Sequence, residues 1–355
     1  MKFAEYVDKY KQKINNAIAS IYDIKLKGTK NPFLKDYYLE LKDYFLAGGK
    51  RIRPLLCIAT YNAFTENKDD RIVTPSIGTE FLHNASLIHD DIIDKDDFRR
   101  GKPAFHYRFR MYHEKYNLKK MIASDYSNSI GIIGGDSAFI SGLEPYFFND
   151  FENDLNLNAI KLYEQAFTDI INGVLIETDM VNQKRISIDD YIEMISLKTG
   201  GLIEKSILIG ANYSRAGEKF TKSLSIYGVN LGIIFQIIDD ILGTFGDEKI
   251  TGKPTDGDIR EGKHTCLLIE ALNTSNDKDK NRILELIEKP EMSANDVKEV
   301  KQLYLKADAV NSCKKIADVY YQEAITALDK LKPSINEAEK EFYNNLLDFV
   351  VNRTF

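Results

Sequence analysis

Apolar residues recur every three or four positions along nearly the whole chain, the spacing of helix faces turned toward a core. The pattern predicts helices over residues 2–26, 33–46, 54–65, 76–97, 134–149, 157–182, 188–213, 217–245, 262–271, 278–288, 294–304, 309–331 and 335–352. Strand-like alternation bounded by turn dipeptides is scarce, and no glycine-rich loop follows a strand. Ser187 with Asp190, Ser293 with Asp296 and Ser334 with Glu337 each place an acid three residues after a serine, which marks a capped helix start. Pro290 and Pro333 separate the last helices. The expected architecture is all-α, a large bundle whose central helices are apolar on most faces. No Pro/Ser/Gly-rich linker interrupts the motif-bearing stretch, so residues 1–355 read as one domain.

Composition narrows the class. A chain of 355 residues with 43% hydrophobic content can bury a large core. A net charge of −6 argues against nucleic acid as the main partner, so basic surface must be local. Cys57, Cys266 and Cys313 are few, odd in number and widely spaced, which suits a reducing cytosol and forms neither a disulfide framework nor a zinc pattern. The five histidines show no metal spacing. The first residues lead straight into a charged amphipathic pattern with no signal peptide. The longest apolar run, Leu231 to Ile238, is broken by Gln236 and is too short for a bilayer span. The expectation is a soluble, cytoplasmic protein with no transmembrane segment.

Two aspartate clusters carry the chemistry. Asp90, Asp91 and Asp94 close one apolar helical stretch; Asp239 and Asp240 lie in another. Such acids are costly on apolar helices unless a cation compensates them. Residues four apart share a helix face, so Asp90 and Asp94 point one way and Asp91 turns aside. Gln236 precedes Asp239 by three residues, so both can serve one cavity. Magnesium prefers a few carboxylates, with phosphate oxygens and waters completing its shell, and an EF-hand spacing is absent. Cations follow each cluster. Gly48-Gly49-Lys50-Arg51-Ile52-Arg53-Pro54 joins a glycine pair and three cations to a proline suited to the first helical position. Arg99, Arg100 and Lys102 follow the first acids; Lys253, Arg260 and Lys263 follow the second; Lys198-Thr199-Gly200-Gly201 interrupts an apolar helix. Together they imply two phosphate sites, one bridged by metal and one bound by cations alone.

The segments GGKRIRP, FLHNASLIHDDIIDKDDFRRGKP, KTGG and FQIIDDILG…GKP…DIREGK resemble the trans-isoprenyl diphosphate synthases (the polyprenyl synthetase family), most of all the archaeal geranylgeranyl type. The match runs in order from residue 48 to 265. The resemblance implies an isoprenoid synthase-type helical bundle around a central cavity, homodimerisation, and isoprenoid biosynthesis by a prenyltransferase. Isopentenyl diphosphate would be condensed with dimethylallyl, geranyl or farnesyl diphosphate, using three Mg2+ ions. By position, Asp90, Asp94 and Asp239 would hold the metals. Arg99, Lys198, Lys253 and Lys263 would grip the allylic diphosphate. Gly49, Lys50, Arg53, His83 and Arg100 would bind isopentenyl diphosphate, and Thr199 and Gln236 would turn oxygens toward the allylic cation.

Three positions depart from the family pattern. Its Gly-Gln-x-x-Asp segment reads Gly173-Val174-Leu175-Ile176-Glu177, and Gly243 stands where many members have a third aspartate. Residues 106–133 are longer than the usual connection: a flap, a subunit contact or a surface loop. In the family, an aromatic four or five residues before the first aspartate stops the product at farnesyl length. Here Ala85 and Ser86 are small, and the eight-residue step to Leu82 descends ~12 Å. Leu82 or Phe139 is the expected floor, and geranylgeranyl diphosphate the expected product, ahead of longer chains and farnesyl diphosphate. A class I terpene cyclase would need one diphosphate pocket only. A non-catalytic subunit of a heteromeric synthase would be expected to lose an aspartate.

Overall fold

The structure, a computed structural model, describes residues 3–66, 69–183, 185–246, 255–332 and 334–352. Lys253 and Pro333 fall outside that set. Among the described residues the regular structure is helical apart from one hairpin of two two-residue strands, as the apolar spacing predicts. Its contacts divide it into two compact units. The first comprises Met1–Glu164, Ser206–Ala216 and Asn336–Phe342; the second comprises Gln165–Lys205, Gly217–Ile335 and Tyr343–Phe355.

In the first unit, α1 (Phe3–Gly28) buries Tyr6, Tyr10, Ile14, Ile18, Ile21 and Tyr22, a single stripe of helical period. Asn31 caps α2 (Pro32–Leu46) by accepting from the Leu34 N–H, with Pro32 at the first position where its missing N–H costs nothing. The helix α3 (Ile52–Phe64) is buried all round from Pro54 to Ala63. It begins two residues earlier than predicted, so Pro54 occupies the third helical position. At the centre stands α4 (Val73–Ile93), which packs on α1, α3, α5 (Phe105–Lys115), α6 (Ala123–Ser141) and α7 (Glu144–Phe147). It ends at Ile93 with Asp94 as its cap, short of the predicted residue 97. The chain then turns through β1 (Phe98–Arg99) and β2 (Lys102–Pro103), with Arg100 and Gly101 at φ 54° and 70°. That positive-φ pair is a tight hairpin turn, a device that helical periodicity does not reveal.

Residues 106–133 are not one irregular loop; residues 116–122 link two helices. The rest form most of α5 and the first half of α6. Phe105 and Phe109 are fully buried in an aromatic cluster with Tyr37 and Tyr44, and their charged neighbours hid this stripe. The glycines of α6 lower its intrinsic helix propensity, which is why the pattern predicted a helix only from 134. They are there for contact: a Cβ on Gly135 would come within 2.8 Å of the His89 ring.

In the second unit the long α11 (Glu218–Phe245) is central. It packs on α9 (Ile188–Ile195), on a π-helical turn over Ser196–Gly200, on α12 (Gly257–Arg260), α13 (Cys266–Thr274) and α16 (Ala309–Asp329). Its length and apolarity alone would also permit a bilayer span, and 61% of that window is buried within the protein. The remaining helices are α8 (Asn153–Met180), α10 (Gly201–Tyr213), α14 (Asp277–Ile287), α15 (Ala294–Lys306) and α17 (Glu337–Val351). Ser187 with Asp190 and Ser293 with Asp296 form the predicted capping boxes. At α17 the cap is Asn336, accepting from the Glu339 N–H, and not Ser334. All three cysteines are buried free thiols.

Candidate active site

The loop before α3 is shaped from inside. Gly48 and Gly49 have φ of 117° and 104°, conformations that side chains rarely adopt. Arg51, itself left-handed at φ 56°, is driven into the core. Its guanidinium pairs with Glu80 at 2.6 Å and donates to Asn15 Oδ1 at 3.0 Å and to the Phe45 carbonyl at 2.6 Å. A fully buried ion pair of this kind holds only if its remaining donors are satisfied, as they are here. With Arg51 anchored, Lys50 is left exposed and Arg53 turns to another neighbourhood. That neighbourhood is cationic. Arg100 donates to the Gly48 carbonyl at 3.3 Å, and a Cβ on Gly49 would sit 3.5 Å from its guanidinium carbon. Burial, then Arg53 and Arg100, push the His83 imidazole well below its ordinary value, so it is neutral. Burial also lowers Arg53 to about 10, although Glu80 opposes this. Gly49 and Arg100, 51 positions apart, are therefore brought together, and the charges of Arg53 and Arg100 are both felt at His83.

At the end of α4 the three acids divide their work. Asp91 is buried; it accepts from Arg99 Nε and Nη2, both at 2.6 Å, and from the Tyr44 hydroxyl at 3.2 Å. Asp90 and Asp94 lie one turn apart, joined by the Asp94 N–H to the Asp90 carbonyl at 2.8 Å, and both are half-buried. Arg99 is thus paired with Asp91, a partner that the spacing did not reveal. His89 fixes the helix end sideways, its Nε2 3.0 Å from the Ile132 carbonyl and its ring edge-on to Phe139. Phe139 consequently stands at the height of the acids.

The second unit repeats the division. Asp239 is exposed, while Asp240 is buried and accepts from Tyr191 at 2.6 Å and from Gln236 Nε2 at 2.9 Å. Gln236 in turn accepts from the Thr199 hydroxyl at 2.9 Å. Thr199 and Gln236 are therefore brought together, but the partner of Gln236 is Asp240 and not Asp239. Burial and then Asp258 push the Asp240 carboxyl up to about 7, against the pull of Tyr191 and Gln236. Asp258 lies close to Gly243, where an added Cβ would meet its Oδ2 at 3.4 Å. The π-helical turn explains the predicted break at Lys198: an extra residue loosens the ladder there. Two close approaches depend on it. A Cβ on Gly173 would lie 2.7 Å from the Lys198 Cα, and one on Gly232 would lie 2.8 Å from the Gly200 nitrogen. Lys198 pairs with Glu177, so the longer acid at that position holds the lysine. Lys263 pairs with Glu261 at 2.8 Å, and Arg260 with Asp256 at 2.5 Å.

These donors fit magnesium in kind. Among the described residues no three His, Cys, Asp or Glu side chains form a cage. Magnesium does not require one, because it keeps waters and phosphate oxygens and takes one or two carboxylates.

A profile of the polyprenyl synthetase family matches residues 35–304. The chain belongs to that family. Among curated relatives of this polyprenyl synthetase, the geranylfarnesyl diphosphate synthase of Aeropyrum pernix is 32% identical over 311 residues, spanning 86% of this chain and 91% of its own. The geranylgeranyl diphosphate synthase of Saccharolobus solfataricus is 30% identical, spanning 90% and 92%. The geranylgeranyl pyrophosphate synthase of Corynebacterium glutamicum, solved with isoprenyl diphosphate and magnesium, superposes with a TM-score of 0.92 at 25% identity, covering 98% of this chain and 99% of that one. The all-α fold of this trans-isoprenyl diphosphate synthase is thus that of the isoprenoid synthases.

Proposed function

We propose that the protein condenses isopentenyl diphosphate with an allylic diphosphate and releases geranylgeranyl diphosphate as its main product. The observation that supports this reading is the cationic grouping of Arg53 and Arg100 around His83, beside Gly49 and in the same unit as Asp90 and Asp94. A cyclase acting on one diphosphate has no use for it. Asp90, Asp94 and Asp239 are assigned to magnesium, three ions by family resemblance. When bound, magnesium supplies Lewis-acid neutralisation of the departing diphosphate. Lys198, held by Glu177, and Lys263 add fixed positive charge to the allylic diphosphate; Lys253 and Arg99 share that assignment. Lys50, Arg53 and Arg100 hold isopentenyl diphosphate, and neutral His83 can donate one hydrogen bond to it. The allylic C–O bond breaks, the isopentenyl double bond attacks the cation, and a C–C bond forms. The released diphosphate takes the proton lost from the isopentenyl unit. Thr199 and Gln236 present oxygen lone pairs that steady the cation, in a site from which water is excluded.

The enzyme is further proposed to be a cytoplasmic homodimer, with both units serving one catalytic domain. Exposed Ile132, Ile133, Ile140, Phe147 and Phe148 in the first unit supply an apolar surface for a second copy. Incubation with magnesium, labelled isopentenyl diphosphate and an allylic primer tests the reaction. Incorporation that stops on chelation and returns with Mg2+ is expected. Diphosphate release without isopentenyl diphosphate would point to a cyclase, and no release to a non-catalytic subunit. A monomer in sedimentation would refute the dimer.

A further inference from the structure

Residues 111–122 close α5, link it to α6, and set apolar and basic side chains together in solvent. Met111, Tyr116, Met121 and Ile122 are 49%, 50%, 47% and 65% exposed. Lys115, Lys119 and Lys120 stand among them, all exposed, and Glu114 is the one acid in the segment. Met111 and Lys115 are four apart on α5 and so share a face. In a chain of net charge −6 this is a local excess of positive charge on an apolar tip.

The tip is held in shape. Asn117 takes φ 49°, and its N–H and that of Leu118 donate to the Glu114 and His113 carbonyls, both at 3.1 Å. That is the left-handed turn that closes a helix on its own last carbonyls. His113 Nε2 lies 2.8 Å from the Met121 carbonyl and ties the far side of the link back to α5. The Tyr112 and Tyr116 rings meet at 4.4 Å between centroids, and the Lys115 ammonium lies 5.1 Å over the Tyr116 ring. A fixed frame thus presents the apolar side chains to solvent.

The chemistry of the tip selects what covers it. An anionic bilayer offers phosphates at its surface and hydrocarbon just beneath. Lysines pair with the headgroups, a tyrosine sits at their level, and methionine and isoleucine reach below. A second copy meeting this tip across a twofold axis would instead set these lysines against their own counterparts.

We propose that residues 111–122 dock the protein peripherally on an anionic lipid surface, with Met121 and Ile122 entering the acyl boundary and Lys115, Lys119 and Lys120 on the headgroups. The contact rests on charge and exposure and is independent of the reaction proposed above. The test is flotation of the full chain, without substrates, on two kinds of vesicle: phosphatidylcholine alone, and equal parts phosphatidylcholine and phosphatidylglycerol. Wild type should float with the anionic vesicles only, and molar salt, with a screening length of about 3 Å, should weaken that binding. Each lysine near such a surface is worth roughly fivefold, so Lys115→Gln, Lys119→Gln and Lys120→Gln together should lower partitioning roughly a hundredfold. Met121→Ser with Ile122→Ser should also release the protein, and both variants should keep the helical circular dichroism of wild type. No flotation by wild type, equal flotation on the two vesicles, or flotation retained by both variants overturns the proposal. Loss of the dimer in sedimentation with vesicle binding intact overturns it too, and would give the tip to a second copy.

Discussion

At the end of α4, Asp91 is buried against the guanidinium of Arg99, whereas at the end of α11 Asp240 is buried against Tyr191 and Gln236, which carry no charge. Both helices bury one aspartate of a pair and leave the other more exposed. The difference lies in what compensates the sunken acid. Asp91 meets an opposite charge; burial drags Arg99 down, and Asp91 more than restores it. Asp240 meets only hydrogen bonds, and its carboxyl is pushed up to about 7. The first cluster is a fixed electrostatic scaffold. The second is a polar relay running from Tyr191 through Asp240 and Gln236 to Thr199, and so into the π-helical turn.

That contrast can be broken experimentally. The largest effect belongs to the outward acids: Asp90→Ala should lower kcat by about a thousand-fold with unfolding unchanged, the scale of losing a preorganised electrostatic contact. A merely structural Asp90 would show the reverse in paired kinetic and denaturation measurements. Next come the sunken acids. Asp91→Asn should cost about 3–5 kcal/mol in urea unfolding, because it strands a largely buried guanidinium. Asp240→Asn keeps neutral partners and should cost no more than about 1.5 kcal/mol; equal losses would erase the distinction drawn above.

Arg53→Met should raise KM for isopentenyl diphosphate roughly 10–100-fold, the worth of one charge-assisted hydrogen bond, and leave KM for the allylic substrate alone. A shift in the allylic constant would mean that the two anion sites are misassigned. The smallest effect concerns pH. His83 is held below its ordinary value of 6.5 by burial and by Arg53 and Arg100. The unfolded chain therefore binds more protons than the folded one below pH 6.5, so stability falls as the pH drops through that value, by up to about 1.4 kcal/mol per unit. His83→Gln should flatten that slope in denaturation at pH 5.5 and 7.5.

Much of this was legible in the chain. The period of the apolar residues gives the helices, and the i, i+4 rule separates Asp90 and Asp94 from Asp91. What the period could not give were inward partners. Glu80 interrupts an apolar run on α4, and a buried charge demands a mate, but nothing local names Arg51. The helices of segment 106–133 are hidden because alternating charges mask Phe105 and Phe109, and because the glycines of α6 argue against a helix whose stability comes from close packing. The Arg100-Gly101 hairpin is set by two positive φ values, which periodicity does not encode.

The turn over Ser196–Gly200 holds five residues where a regular helix would want four. Removing Leu197, for instance, would leave a smooth helix that still satisfies its own hydrogen bonds, yet would flatten the bulge that aims Lys198 and Thr199. Lys198 would then leave Glu177, and Thr199 would leave Gln236, without any side chain having changed. A length polymorphism of one codon in this stretch would thus act as a null allele in a protein that still accumulates normally.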